Sequence, residues 1–241
     1  MSYRCRFIAI FVLMLFLCTG RVTASTKITF SADKLQGTGS SGKTSTKLIG
    51  NAKVTVDTLT INGEAIELYG KDYRYIKASG VVNGSDSEKG FSFSASSLLY
   101  DREKEIALFI GSAKVEDLKN KVKTAAERIE YNQKNETILL QIAVTLTSKD
   151  ISCDSLFALY YRNSSLLELT GKPVVKKGKD EFKAARISVN LDTEDIRLEG
   201  KVAGTVTDTA DTKKDEKDTE ITQPANEDAA PEKKDSEDVH E

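Results

Sequence analysis

Few residues in this chain could carry chemistry. The only histidine is His240, close to the C-terminus, so the bulk of the chain lacks the base for Ser–His or Cys–His catalysis and the commonest zinc ligand. Cys5 and Cys18 stand near the N-terminus, and Cys153 is the third cysteine. In Ile151-Ser152-Cys153-Asp154 it falls where an inward apolar residue would, which suits a small buried hydrophobe rather than a reactive thiol. Glu103/Glu105 and Asp192/Glu194/Asp195 sit in polar turn stretches among lysines and arginines. A general acid/base pair needs apolar surroundings to separate its pKa values, so these read as solubilising turn residues. There is no Cys-x-x-Cys, no Gly-rich phosphate loop and no EF-hand string. The chain reads as a non-enzyme with no metal and no cofactor. What remains is apolar chemistry. Phe30, Leu48, Val54, Ile76, Phe93, Phe109, Val115, Leu139, Phe157, Leu169, Phe182 and Leu198 recur along the chain as one inward column. Such a column can fill a core, or it can line a slot for hydrocarbon, where each methylene removed from water contributes about 0.8 kcal/mol.

The elements that position this column are repeats. An apolar–x–Gly–x–Ala–x–Val phrase occurs as Leu48-Ile49-Gly50-Asn51-Ala52-Lys53-Val54 and again as Phe109-Ile110-Gly111-Ser112-Ala113-Lys114-Val115. Looser copies surround Gly80, Gly171 and Gly200, and Gln141 takes the glycine's place in one. The markers 50, 80, 111, 141, 171 and 200 are spaced by 30, 31, 30, 30 and 29 residues. A second column, Tyr69, Tyr100, Tyr131 and Tyr161, keeps the same period, with Asn190 in that place before Gly200. Polar turn stretches lie between the two columns. Each unit therefore reads as strand, turn, strand, alternating in side-chain type as in Phe91-Ser92-Phe93-Ser94-Ala95. Glycine within a strand marks a bulge or bend. One bend per unit lets each strand pass from one sheet to a facing sheet, so the fold expected is all-β: an elongated two-sheet sandwich of about six roughly 30-residue repeats. The inward column gains Ile61, Val82, Val175 and Val202 from the same pattern. The Gly/Ser/Thr/Lys stretch 36–47 reads as a flexible loop lengthening the first unit.

The termini differ in composition. Arg4 and Arg6 precede an uncharged run, Phe7–Cys18, and Val22 and Ala24 give a small-residue cleavage pattern. Residues 1–24 thus read as a secretory signal peptide, with an uncleaved membrane anchor as the alternative; the run is short for a span of roughly 20 residues. Residues 208–241 carry thirteen acids and five lysines, a net charge of −8, and almost no large apolar residues, so they read as a disordered acidic tail. The segment between, 25–207, holds 27 basic and 24 acidic residues. That near-neutral mixture has no basic stripe for nucleic acid.

The repeat resembles a known family. Phe30-Ser31-Ala32-Asp33-Lys34-Leu35 followed by the Gly50 phrase, Ser97-Leu98-Leu99-Tyr100-Asp101 followed by the Gly111 phrase, and Ala126-Glu127-Arg128-Ile129-Glu130-Tyr131 resemble the OstA-like, LptA-type lipopolysaccharide transport proteins. The resemblance covers roughly 28–206. It implies a twisted β-jelly-roll with open ends, periplasmic localisation, and a lipopolysaccharide or related glycolipid cargo whose acyl chains lie in an apolar groove. It also implies partners: further copies of the chain stacked head to tail, or other β-jelly-roll transport proteins of the inner and outer membranes. The family has no catalytic residues. Two alternatives stay open: a membrane-anchored relative of the LptC type, and a structural envelope β-solenoid with a filled interior.

Overall fold

The computed structural model describes residues 27–40 and 43–207. The expected signal peptide and acidic tail lie outside the described residues. Sixteen antiparallel strands form a single sheet that folds on itself without closing. The strands are β1 (Ile28–Ser31), β2 (Lys34–Ser40), β3 (Lys43–Val56), β4 (Leu59–Tyr69), β5 (Tyr75–Asp86), β6 (Phe91–Asp101), β7 (Ile106–Asp117), β8 (Val122–Asn132), β9 (Thr137–Ser148), β10 (Ile151–Tyr161), β11 (Leu166–Thr170), β12 (Val174–Lys177), β13 (Asp180–Lys183), β14 (Arg186–Asn190), β15 (Ile196–Glu199) and β16 (Ala203–Thr205). Among the described residues, helix is confined to two 3₁₀ turns, Lys71–Tyr73 and Arg162–Ser164.

From β3 to β10 the chain is a meander of long strands, each paired with the next. Every ladder in it skips register once near the middle, for example between Ser94 and Ser97 and between Ile110 and Ala113. At each skip the in-out alternation resets, so the two halves of a strand belong to two facing layers. The interior lies between those layers. Phe91 of one layer meets Tyr131 of the other edge to face, with centroids 5.0 Å apart and planes at 85°. At both ends the sheet divides into two edges. β3 pairs with β1 through one half and β2 through the other. Beyond β10, one branch runs through β11, β14 and β15, and the other through β12, β13 and β16.

The glycine column makes the corners. Gly111 has φ +84, and a Cβ there would fall 2.6 Å from the Ser96 hydroxyl of the neighbouring strand. Both the backbone conformation and the close approach therefore require glycine. The corner of β9 departs from the sequence expectation. Ile142 (φ 68) and Ala143 (φ 51) hold the positive-φ pair there, so the marker residue is Ile142 and not Gln141. The unit before it is one residue longer than expected and the unit after it shorter.

That one-residue shift moves every side chain of the segment to the other face. Leu139, expected inward, faces out and is half-buried; Leu140, at 0% exposure, takes the interior place. Phe157 is likewise outward and 45% exposed, because β10 turns its corner at Leu156 and Phe157 and the alternation resumes inward at Ala158. Tyr160 rather than Tyr161 continues the tyrosine column inward. Val202 is exposed, just before β16. Residues 36–40 and 43–47 are strand and not loop: backbone pairs from Gln36↔Lys47 to Ser40↔Lys43 join β2 to β3.

An apolar seam and its polar clasp

The structure sorts the remaining column residues by position. Leu48, Val54, Ile76, Phe93, Phe109, Val115 and Leu169 are buried between the layers, together with Ile61, Val82 and Val175. Phe93 and Phe109 come from facing layers and meet at 4.8 Å. Phe182 and Leu198, near the C-terminal end, are partly buried against the same core. Phe30 is 49% exposed although it belongs to the inward face. Its pairing explains this. Phe30 stands opposite the fully buried Val54, so it shares the inward face, but β1 is an edge strand and no described residue covers it. Leu35 repeats the arrangement on the other layer: it pairs with buried Leu48 and is 56% exposed. The seam therefore runs end to end between the layers and emerges at the N-terminal end with no cover among the described residues. At the other end its last inward pairs are Ile187↔Leu198 and Val175↔Phe182.

Along the side opposite the corners, the turn tips of the two layers face each other. There the seam is crossed by a buried ionic cluster that the apolar pattern did not reveal. Arg162, 6% exposed, reaches from the end of β10 to Asp117 at the end of β7. Its Nε donates to Asp117 Oδ2 at 2.8 Å and its Nη2 to Oδ1 at 3.0 Å. Its Nη1 donates to the Tyr131 hydroxyl and to Glu136, and Nη2 also donates to the Lys89 carbonyl at 3.0 Å. Tyr131 donates in turn to Glu136, and Asn120 Nδ2 donates to Asp117 and to the Tyr160 hydroxyl. Burial opposes ionisation of Asp117, yet the Arg162 hydrogen bonds and charge outweigh it and hold the carboxyl below its usual range. Burial also works against the charge of Arg162, and its acidic neighbours raise its pKa all the same. A planar guanidinium bonded to two acids and two neutral acceptors is the geometry in which a buried charge is tolerated. The signal for this cluster in the sequence was Arg162 itself, an arginine two residues past a tyrosine of the repeat.

The acidic turn residues are engaged as turns would have them. Glu103 faces Arg74 at 2.6 Å, and Glu194 faces both Lys149 and Lys177. Cys153 is buried between Leu146 and Val175 on neighbouring strands. Burial, assisted by the charge of Asp154, pushes its thiol up to about 12. No helix among the described residues is long and apolar enough to cross a membrane.

No protein-family model matches this chain, and no curated protein matches it. Among solved structures it is similar to LptH, the LptA homologous periplasmic component of the conserved lipopolysaccharide transport device from Pseudomonas aeruginosa. The two share 9% identity and a TM-score of 0.23, over 76% of this chain and 96% of that one. At such values the likeness carries no argument about activity. A groove of 340 Å³ lies over Ala125, between Ser94, Lys114 and Thr145, and a second of 180 Å³ is lined by the outward Leu139 and Phe157 together with Leu159. Phe93 and Val115 of the seam also line the first.

Proposed function

We propose that this chain is a periplasmic, non-catalytic carrier or bridge for an acylated lipid of the lipopolysaccharide class. The observation that carries this reading is the end of the seam that no described residue covers. Phe30 and Leu35 continue the interior face of both layers into solvent. A filled scaffold gains nothing by presenting two large apolar side chains at an open end, whereas a path for hydrocarbon must begin somewhere wet. The resemblance of the repeat to the LptA type supports the same cargo. The edge strands β1, β2, β15 and β16 leave ladder groups free for another β-sheet, which supports partners added end to end. On this reading residues 1–24 are a signal peptide, 25–207 the carrier domain and 208–241 an acidic tail.

The test is photo-cross-linking in the cell envelope. A photo-reactive residue at Phe30 or Leu35 should capture glycolipid, and one at outward Lys53 or Lys114 should not. Equal labelling of the two sets would remove the support for a carrier. A second reading, a structural envelope element, is favoured by the filled midsection between Phe91 and Tyr131 and by the Arg162 cluster that ties the layers. It predicts no captured lipid at either position.

A further inference from the structure

The outer faces of the two layers differ. Across β6 to β10 one layer turns outward the row Ser94, Lys114, Ala125, Thr145 and Asp154, each paired with the next and all polar or small. On the other layer the same strands turn outward Leu99, Leu108, Glu130, Leu139 and Leu159, again each paired with the next. A second row lies beside this one: Ile110, Arg128, Gln141 and Phe157. Leu99, Ile110 and Phe157 are 37%, 40% and 45% exposed, and the 180 Å³ groove between Leu139, Phe157 and Leu159 lies in this face. An antiparallel sheet with one face on a core normally turns polar side chains to water on the other. The first layer does so and the second does not. Neighbouring exposed apolar residues of this kind mark an interaction surface.

The charges say what fits it. β8 places Glu130 in the first row and Arg128 in the second, two residues or about 7 Å apart along the strand. Within the chain they meet loosely, at 3.8 Å, and both are part-exposed. β7 places Leu108 and Ile110 in the same two rows, and β10 places Leu159 and Phe157 there. A twofold axis lying between the rows and running across the strands exchanges one row for the other. It sets Glu130 of each copy over Arg128 of its partner, so that two ion pairs form about the axis. The same rotation sets Leu108 over Ile110 and Leu159 over Phe157, apolar on apolar. β9 is the exception, with Leu139 over Gln141. A twofold interface has to be self-complementary in this sense, residue i on residue j and j on i.

We propose that this outer face binds a second copy of the chain, face to face, about a twofold axis that crosses β7 to β10 between the two rows. The inference does not rest on the carrier reading, since the face lies outside both the seam and the edge strands. A face-to-face pair closes at two copies, whereas edge-to-edge addition leaves a free edge at each end and continues.

The test is sedimentation velocity of the full chain at increasing concentration, with charge variants at Arg128 and Glu130. The unmodified protein should reach a dimer and stop there. Arg128→Glu and Glu130→Arg each bring like charges together at both points, and each should weaken dimerisation by about tenfold or more. Mixed in equal amounts, the two variants should associate as a heterodimer, because two acids on β8 of one copy then face two bases on β8 of the other. Circular dichroism should be unchanged in both, since neither side chain enters the core. A protein that stays monomeric would overturn the proposal, and if its binding to lipid vesicles were lost in Phe157→Ser the face would belong to a lipid surface instead. Dimers that Arg128→Glu leaves intact, or variants that ignore each other on mixing, would overturn it as well. So would assemblies that grow past two copies and are indifferent to both substitutions, which would place all association at the edge strands.

Discussion

Phe93 and Phe109 meet with ring centroids 4.8 Å apart although neither is the other's ladder partner; Phe93 pairs with Val115 and Phe109 with Leu98 and Ile129. Their contact therefore spans the space between the layers and measures how tightly that space is filled. Both rings are at most 5% exposed. Phe109→Ala should cost about 3–5 kcal/mol in urea denaturation, the range for deleting a packed aromatic. A loss well under that would mean the interior yields at this level, as a hydrocarbon path through the midsection requires. The full loss would restrict any lipid to the ends, near Phe30 and Leu35.

The corner at Ile142 predicts an easily gained stabilisation. A β-branched residue at φ 68 is a steric outlier, and the side chain is 55% exposed, so little burial compensates. The equivalent corners at Gly50, Gly111 and Gly171 have glycine at φ between 77 and 84. Ile142→Gly should raise stability by about 1 kcal/mol, read as a higher denaturation midpoint with an unchanged slope. A decrease would show that the corner's apolar surface is itself in use.

Ile142 also marks where the sequence stopped being legible. The period, the strand-turn-strand unit and the corner-forming role of glycine all follow from Gly50, Gly80, Gly111, Gly171 and Gly200. Where glycine is absent, nothing in residue type distinguishes Gln141 from Ile142 as the corner, and a one-residue choice decides which of Leu139 and Leu140 is buried. The sequence places Phe157 inward for the same reason, since an aromatic at a corner looks like an aromatic in a core. The ionic cluster stayed hidden because its members, Lys89, Asp117, Glu136 and Arg162, come from four separate turns that only the stacked repeats bring together.

The register of β9 is directly testable. Leu140→Ala should cost about 2–5 kcal/mol, as for a leucine in a closed core, while Leu139→Ala should cost under about 1 kcal/mol. Parallel melts of the two variants suffice. Equal costs would contradict the corner at Ile142.

Cys153 should behave as a buried hydrophobe. With its thiol pushed up to about 12 by burial, almost none is thiolate at pH 8, and thiolate is the reacting form. An aromatic disulfide reagent should leave the native protein unmodified for hours and label it stoichiometrically in denaturant. Fast labelling in the native state would mean that β10 and β12 separate readily.

Arg162 and Asp117 make the strongest prediction about pH. Removing Arg162 leaves Asp117, 1% exposed, as a buried charge without its partner, so Arg162→Met should cost about 3–5 kcal/mol at pH 7. The sign of its pH dependence follows from the depressed carboxyl. In the unfolded chain Asp117 titrates near 3.9; in the folded chain it does so lower. The stability this difference confers is complete above the unfolded value and is lost as pH falls through it toward the folded one. In Arg162→Met, burial favours the neutral form of Asp117 and only the Asn120 and Lys119 hydrogen bonds are left to oppose it, so acid removes less of that contribution. The gap between the two proteins should therefore narrow below about pH 4. Denaturation of both at pH 7, 5 and 3.5 measures the gap. If it stays constant across that range, Asp117 is not the residue through which Arg162 holds the layers together.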